Sequence, residues 1–156
     1  MREILFRGKR VDNGEWVEGQ TIVVIHQDDN DLIFMPQHGE DVKADPMEDN
    51  DRALTSIYGN YYQILPQTVE QYTGLTDKNG KKIFEGDIIK IVPNYDYSDD
   101  YIISKVYSYN GISCVDYHGD DFDSTALGFL DDYLPDGDFE VIGNIHDNPK
   151  LLEVTK

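Results

Sequence analysis

The stretch Thr73-Gly74-Leu75-Thr76-Asp77-Lys78-Asn79-Gly80-Lys81-Lys82-Ile83-Phe84-Glu85-Gly86-Asp87-Ile88-Ile89-Lys90-Ile91-Val92 decides the fold class. Asp77-Lys78-Asn79-Gly80 is its strongest turn, because Asn and Gly accept positive φ at low steric cost and close a tight hairpin. The β-favouring run Thr68–Thr73 precedes the turn and Lys81–Phe84 follows it. Glu85-Gly86-Asp87 then bends the chain into Ile88–Val92, a nearly continuous apolar run expected of a strand buried on both faces. Such a bend needs a residue without a Cβ, and an Asp side chain to hold backbone N–H groups. Small SH3-like barrels use the same pairing.

Working outward, the same punctuation recurs. Ile4–Arg10 reads as a strand, Asp12-Asn13-Gly14 as a turn, and Trp16–Ile25 as the returning strand with a bulge at Gly19. Leu32–Met35 is a short strand stopped by Pro36. The polar, acidic residues 38–53 read as a loop, and Ile57–Leu65 returns to strand composition. Tyr101–Tyr109, Asn110-Gly111 and Ile112–Tyr117 form a further hairpin. Phe139–Gly143 is a strand. Two segments carry helix signals near the C-terminus. Ser124 is placed to cap a stripe of Ala126, Leu127, Leu130 and Leu134. Asn148 is placed as an N-cap with Pro149 at the first helical position, ahead of Leu151 and Leu152. The fold expected is mostly β: antiparallel hairpins forming small barrel-like sheets, with one or two short helices near the C-terminus. The chain reads as one domain, residues 1–156, divisible into an N-terminal hairpin region (1–65) and a barrel-like region (66–156).

Composition sets the function classes. The chain has 156 residues, 39% of them apolar, with eleven tyrosines, which suit pleated, half-buried surfaces. Its one cysteine, Cys114, allows no intrachain disulfide, which points to a reducing, cytoplasmic compartment. The N-terminal apolar run Ile4-Leu5-Phe6 is too short for a signal-peptide core, and no stretch reaches a membrane span. The formal net charge is −18, and Val92–Pro149 holds thirteen acidic residues against a single base, Lys105. Long-range repulsion therefore disfavours bulk binding to nucleic acid or to anionic membranes. Bases cluster instead at Arg2, Arg7, Lys9 and Arg10, and at Lys78, Lys81, Lys82 and Lys90.

Three blocks carry a family resemblance. The first is Arg2-Glu3-Ile4-Leu5-Phe6-Arg7-Gly8-Lys9-Arg10 followed by Gly14-Glu15-Trp16-Val17-Glu18-Gly19. The second runs from Thr68-Val69-Glu70-Gln71-Tyr72 through the opening stretch to Ile89. The third is Phe139-Glu140-Val141-Ile142-Gly143-Asn144-Ile145-His146-Asp147-Asn148-Pro149. In this order and spacing they resemble the YopX family of phage and prophage proteins, and they frame nearly the whole chain. The resemblance implies a mostly β, self-associating protein of phage or prophage origin. It implies no catalytic residue and no cofactor.

Motifs that would carry chemistry fail on spacing. Gly74–Lys82 misses a phosphate-binding loop: its second glycine falls one residue late, and Lys82 stands where Ser or Thr must meet magnesium. A calcium-binding EF-hand loop started at Asp132 places Leu134 at a ligand position and Gly143 at the bidentate Glu position. A non-standard calcium site among Asp120, Asp121, Asp123, Asp136 and Asp138 is set against solvated acidic loops, the favoured reading. Cys114 and His118 lie about 13 Å apart on one strand face and cannot share a zinc ion. A Cys114 nucleophile served by another histidine is set against a buried small hydrophobe. His146-Asp147 reads as a turn entering the terminal helix. The Asp28-Asp29, Asp99-Asp100, Asp120-Asp121 and Asp131-Asp132 pairs sit in polar turns and lack the apolar pocket a catalytic acid needs. No catalytic, cofactor or metal residue is therefore assigned. The function expected is that of a non-catalytic phage accessory protein that binds an unidentified host or phage protein as a homo-oligomer. Two alternatives stand beside it: an acidic nucleic-acid mimic using Asp96–Asp138, and a small-barrel nucleic-acid binder using the basic N-terminus.

Overall fold

The structure, a computed structural model, describes residues 3–27, 30–37, 61–92, 101–115, 125–126 and 139–154. They form two compact units, divided between Gln71 and Tyr72. Among them are twelve strands, two 310 helices and no α-helix.

In the first unit, β1 (Phe6–Lys9) pairs antiparallel with β2 (Trp16–Gly19) and with the start of β6 (Glu70–Thr76). The Asp12-Asn13-Gly14 turn lies between β1 and β2 as expected, with the Gly14 N–H donating to Arg10 O at 3.0 Å. The expected single strand Trp16–Ile25 is broken. It ends at Gly19, and β3 (Val23–Gln27) starts a separate sheet, ordered β3-β4-β5, with β4 (Asn30–Pro36) and β5 (Tyr61–Ile64). Gly19 thus closes β2 instead of bulging it. Leu5, Phe34, Met35 and Ile64 are buried in this unit. A 310 helix, Pro66–Thr68, leads into β6; the Thr68 hydroxyl donates to Leu65 O and accepts from the Lys9 N–H.

In the second unit, β6 ends in the Asp77–Gly80 turn and returns as β7 (Lys82–Phe84), with Gly80 at φ 78°. The sheet that follows contains β8 (Asp87–Ile91), β9 (Ile102–Tyr109), β10 (Ile112–Val115), β11 (Thr125–Ala126) and β12 (Phe139–Asn144), in the order β11-β10-β9-β8-β12. β8 lies between β9 and β12 and buries Ile88, Ile89 and Ile91, as its apolar run predicts. With Ile83, Val106, Val115, Phe139 and Val141, Ile89 and Ile91 make a single core cluster. The Asn110-Gly111 turn joins β9 to β10, and both residues take positive φ.

Two aspartates fix the bends of the opening stretch. Asp87 is buried and its Oδ2 accepts the Phe84 N–H at 2.8 Å, across a Gly86 at φ 80°. Gly86 in turn bonds Val106 O through its N–H and the Ile145 N–H through its carbonyl. Asp77 is only 5% exposed. Its Oδ1 accepts the Asn79 and Lys81 N–H groups, and its Oδ2 accepts the Val141 N–H from β12. The Lys78 N–H donates to Phe139 O, and Lys78 Nζ lies 2.9 Å from Glu140 Oε2. The hairpin turn is therefore laid along the side of β12 that does not face β8.

Two expectations are corrected. The five-stranded sheet is open, so the barrel-like closure expected over 66–156 is not formed among the described residues. Among the described residues neither of the two C-terminal helices is found. Ala126 lies in β11, paired with Cys114, because ladder bonds to β10 override the weak helical stripe; Ser124, Leu127, Leu130 and Leu134 lie outside the described residues. Pro149–Val154 is a 310 helix, with the Leu151 N–H donating to Asn148 O. The Asn148 side chain reaches back to the Asn144 N–H and does not serve as an α-helical N-cap.

Two predictions follow from this packing. Asp77→Ala removes one acceptor from three backbone N–H groups and should cost about 3 kcal/mol in urea unfolding. Burial alone would raise the Asp77 pKa, but hydrogen bonds from Val141, Lys81 and Asn79 outweigh it and hold the carboxyl below its ordinary value. Such a group stabilises fully above its unfolded pKa and loses that contribution as pH falls through the folded one. The stability gap between wild type and Asp77→Asn should be constant near neutrality and close on acidification; a gap unchanged down to about pH 2 removes the assignment. At Gly143, an added Cβ would sit 2.6 Å from Asn148 Oδ1. Gly143→Ala should cost about 1–3 kcal/mol, and Asn148→Ala in the same chain should recover part of it.

Candidate functional site

The polar chemistry of the first unit gathers along β1 and just beyond it. Arg7 stands opposite Glu18 on β2 and Glu70 on β6. Its Nε and Nη2 both reach Glu70 Oε2, at 2.6 and 2.5 Å, and both side chains are buried. The guanidinium lies 4.7 Å from the centre of the Trp16 ring, and Lys9 Nζ lies 5.5 Å from it. A buried ion pair roofed by an indole is a structural joint, since neither charge is accessible to a ligand.

Arg10 differs. It follows β1, bridges to Ile64, and stacks its guanidinium 4.0 Å above the Tyr62 ring. Its Nε and Nη2 fork onto the two Asp12 carboxylate oxygens at 2.8 and 2.5 Å, and its Nη1 lies 3.7 Å from Glu15 Oε2. The hydrogen bond to Asp12 raises the Arg10 pKa and, from the other side, lowers that of Asp12. Beside this group opens a cleft of about 270 Å³, lined by Arg10, Val11, Asp12, Gln37, Tyr61 and Gln63 with the Tyr62 ring. Its lining offers amides, phenols, a carboxylate and a guanidinium. Among the described residues that line it, none is a nucleophile beside a base.

The residues weighed in the sequence fall elsewhere. Gly74–Lys82 forms the end of β6, the Asp77 turn and the start of β7. His26 is exposed and its Nδ1 lies 2.7 Å from Asp31 Oδ1 across β3 and β4. Cys114 is buried in β10, its thiol donating to Ile112 O at 3.5 Å. His146 and Asp147 sit in a turn whose backbone N–H groups both donate to Asn144 Oδ1. His38, His118, Asp120, Asp121, Asp123, Asp136 and Asp138 lie outside the described residues, as do the paired aspartates 28–29, 99–100, 120–121 and 131–132. Among the described residues no three His, Cys, Asp or Glu side chains could share a metal ion. No helix among them is long and apolar enough to cross a membrane. Sequence reading missed the cleft because Arg10 and Tyr62 meet only through the Arg10–Ile64 bridge. The one available signal was Tyr61-Tyr62, a doubled aromatic opening a short strand.

The joint at Arg7 is testable. Arg7→Ala strips the cation from a buried carboxylate and should cost about 3–5 kcal/mol. The double replacement Arg7→Met with Glu70→Leu should recover most of that loss in chemical denaturation.

The crystal structure of yopX from Bacillus subtilis superposes with a TM-score of 0.54 at 17% identity, over 97% of this chain and 99% of that one. The crystal structure of protein EF1440 from Enterococcus faecalis gives a TM-score of 0.49 at 23% identity, over 96% and 97% of the two chains. No curated protein matches the chain. The family model described as YopX protein matches residues 5–153, nearly the full length, and the chain belongs to the YopX family.

Proposed function

We propose that this chain is a non-catalytic binding protein of phage or prophage origin that works as a homo-oligomer in the cytoplasm of a bacterial host. The observation that carries the reading is how the buried charges are used. Asp77 and Asp87 hold backbone N–H groups, and Arg7 and Glu70 hold each other. In each case the charge that could have driven chemistry is committed to shape.

Self-association is supported at the β9–β10 hairpin. Tyr109 and Ile112 face each other across the strands beside the Asn110-Gly111 turn and are 65% and 55% exposed. Apolar side chains at an exposed hairpin tip suit a contact between protein copies. A protein partner is favoured over nucleic acid because two of the basic N-terminal residues are compensated from within: Arg7 by Glu70, and Arg10 by Asp12 and Glu15. Size-exclusion chromatography with light scattering should give a multiple of the 17.9 kDa chain mass, and Tyr109→Ser with Ile112→Ser should shift it toward the monomer. A lone 17.9 kDa particle at all concentrations overturns the oligomer.

A further inference from the structure

β5 is an edge strand of its sheet, and β1 accompanies its outer side only as far as the Arg10–Ile64 bridge. There the Leu65 N–H donates to Lys9 O at 2.8 Å and the Val11 N–H to Gln63 O at 2.9 Å. The chain then turns away through Val11-Asp12-Asn13. Backbone polar groups alternate sides along a strand, so the Tyr61 N–H and carbonyl point outward, in line with Gln63 O. Among the described residues no strand runs alongside them. The cleft opens at this same place, lined by Tyr61 and Gln63 of the edge strand and by Val11 and Asp12 of the departing chain.

From this we infer that the edge at Tyr61–Gln63 receives an extended segment of a partner protein carrying a basic side chain, added as a further strand of the sheet. The inference rests on reading the chain as a binding protein and names what it binds. An unaccompanied strand edge takes up the main-chain hydrogen bonds of an incoming strand, and an adjoining cleft selects one of its alternate side chains. Charge selects the kind of side chain. Asp12 and Glu15 both contact Arg10, a lining residue, but their two carboxylates against its one guanidinium leave a negative charge over, and they are 64% and 71% exposed on a chain of net charge −18. That field draws cations in and repels phosphates. Arg10 takes the Tyr62 ring and both Asp12 oxygens for itself, so an incoming cation meets what lies beside them. Tyr61 brings a second aromatic ring for an incoming cation.

The test titrates the isotope-labelled full chain with a capped peptide of about seven residues, alternating Thr and Val around a central Arg. Saturable amide shifts centred on Val11, Asp12, Tyr61 and Gln63 are expected. Binding should weaken about tenfold when the central Arg is replaced by Glu, and vanish when the peptide N–H groups on the bonding side are methylated. Asp12→Asn should weaken the Arg peptide and leave a Gln-centred peptide unchanged. Shifts spread over the whole acidic surface, binding that survives methylation, or a cleft that responds only to a single-stranded oligonucleotide overturns the inference. A silent cleft on a chain that light scattering shows to be oligomeric also overturns it while leaving the broader reading intact. A titrating cleft on a lone 17.9 kDa particle supports it and removes only the oligomer.

Discussion

Much of the second unit hangs on one carboxylate. Asp77 collects N–H groups from its own turn and one from β12, which joins the sequence-local hairpin to a strand far along the chain. A buried carboxylate is costly unless several donors meet it, and three backbone donors in fixed geometry satisfy that condition. Asp87 repeats the device on a smaller scale, closing the Glu85-Gly86 bend onto the Phe84 N–H. Between them, the two side chains orient β7 and β8, and the core cluster of Ile83, Ile89, Ile91 and Phe139 is built on those strands.

This division between local and distant bonds explains what could be read from the sequence. Asn79-Gly80 and Asn110-Gly111 announce hairpins because positive φ is a property of the residue itself. The holding role of Asp87 was visible for the same reason, since its partner is three residues away. The grip of Asp77 on Val141, 64 residues on, was not, and neither was the Arg7–Glu70 pair, 63 residues apart. Trp16–Ile25 looked like one strand because Gly19, where it leaves one sheet for another, fits a bulge as well as a strand end. The terminal Asn148-Pro149 signal was read as an α-helical start, but the Asn144 N–H had already claimed the capping side chain. The cleft was illegible because it is made by a backbone bridge between segments that share no pattern.

Cations over rings recur through the described residues. Arg7 and Lys9 lie over Trp16, Arg10 over Tyr62, Lys82 over Tyr72, Lys90 over Tyr101 and Lys105 over Tyr107. The scarcity of bases and the wealth of tyrosines are thus connected. In each case the charged end of a basic side chain lies over an aromatic ring. The pairing distributes the few positive charges across an acidic molecule.

The turn laid along β12 has a further consequence. A sheet grows at its edges, and β12 would be such an edge if Lys78 and Asp77 did not occupy the outward groups of Phe139 and Val141. The side of the strand where stacking into fibrils could begin is stoppered by the chain's own hairpin. The bonds that shape the turn thereby also withhold those two groups of β12 from any incoming strand.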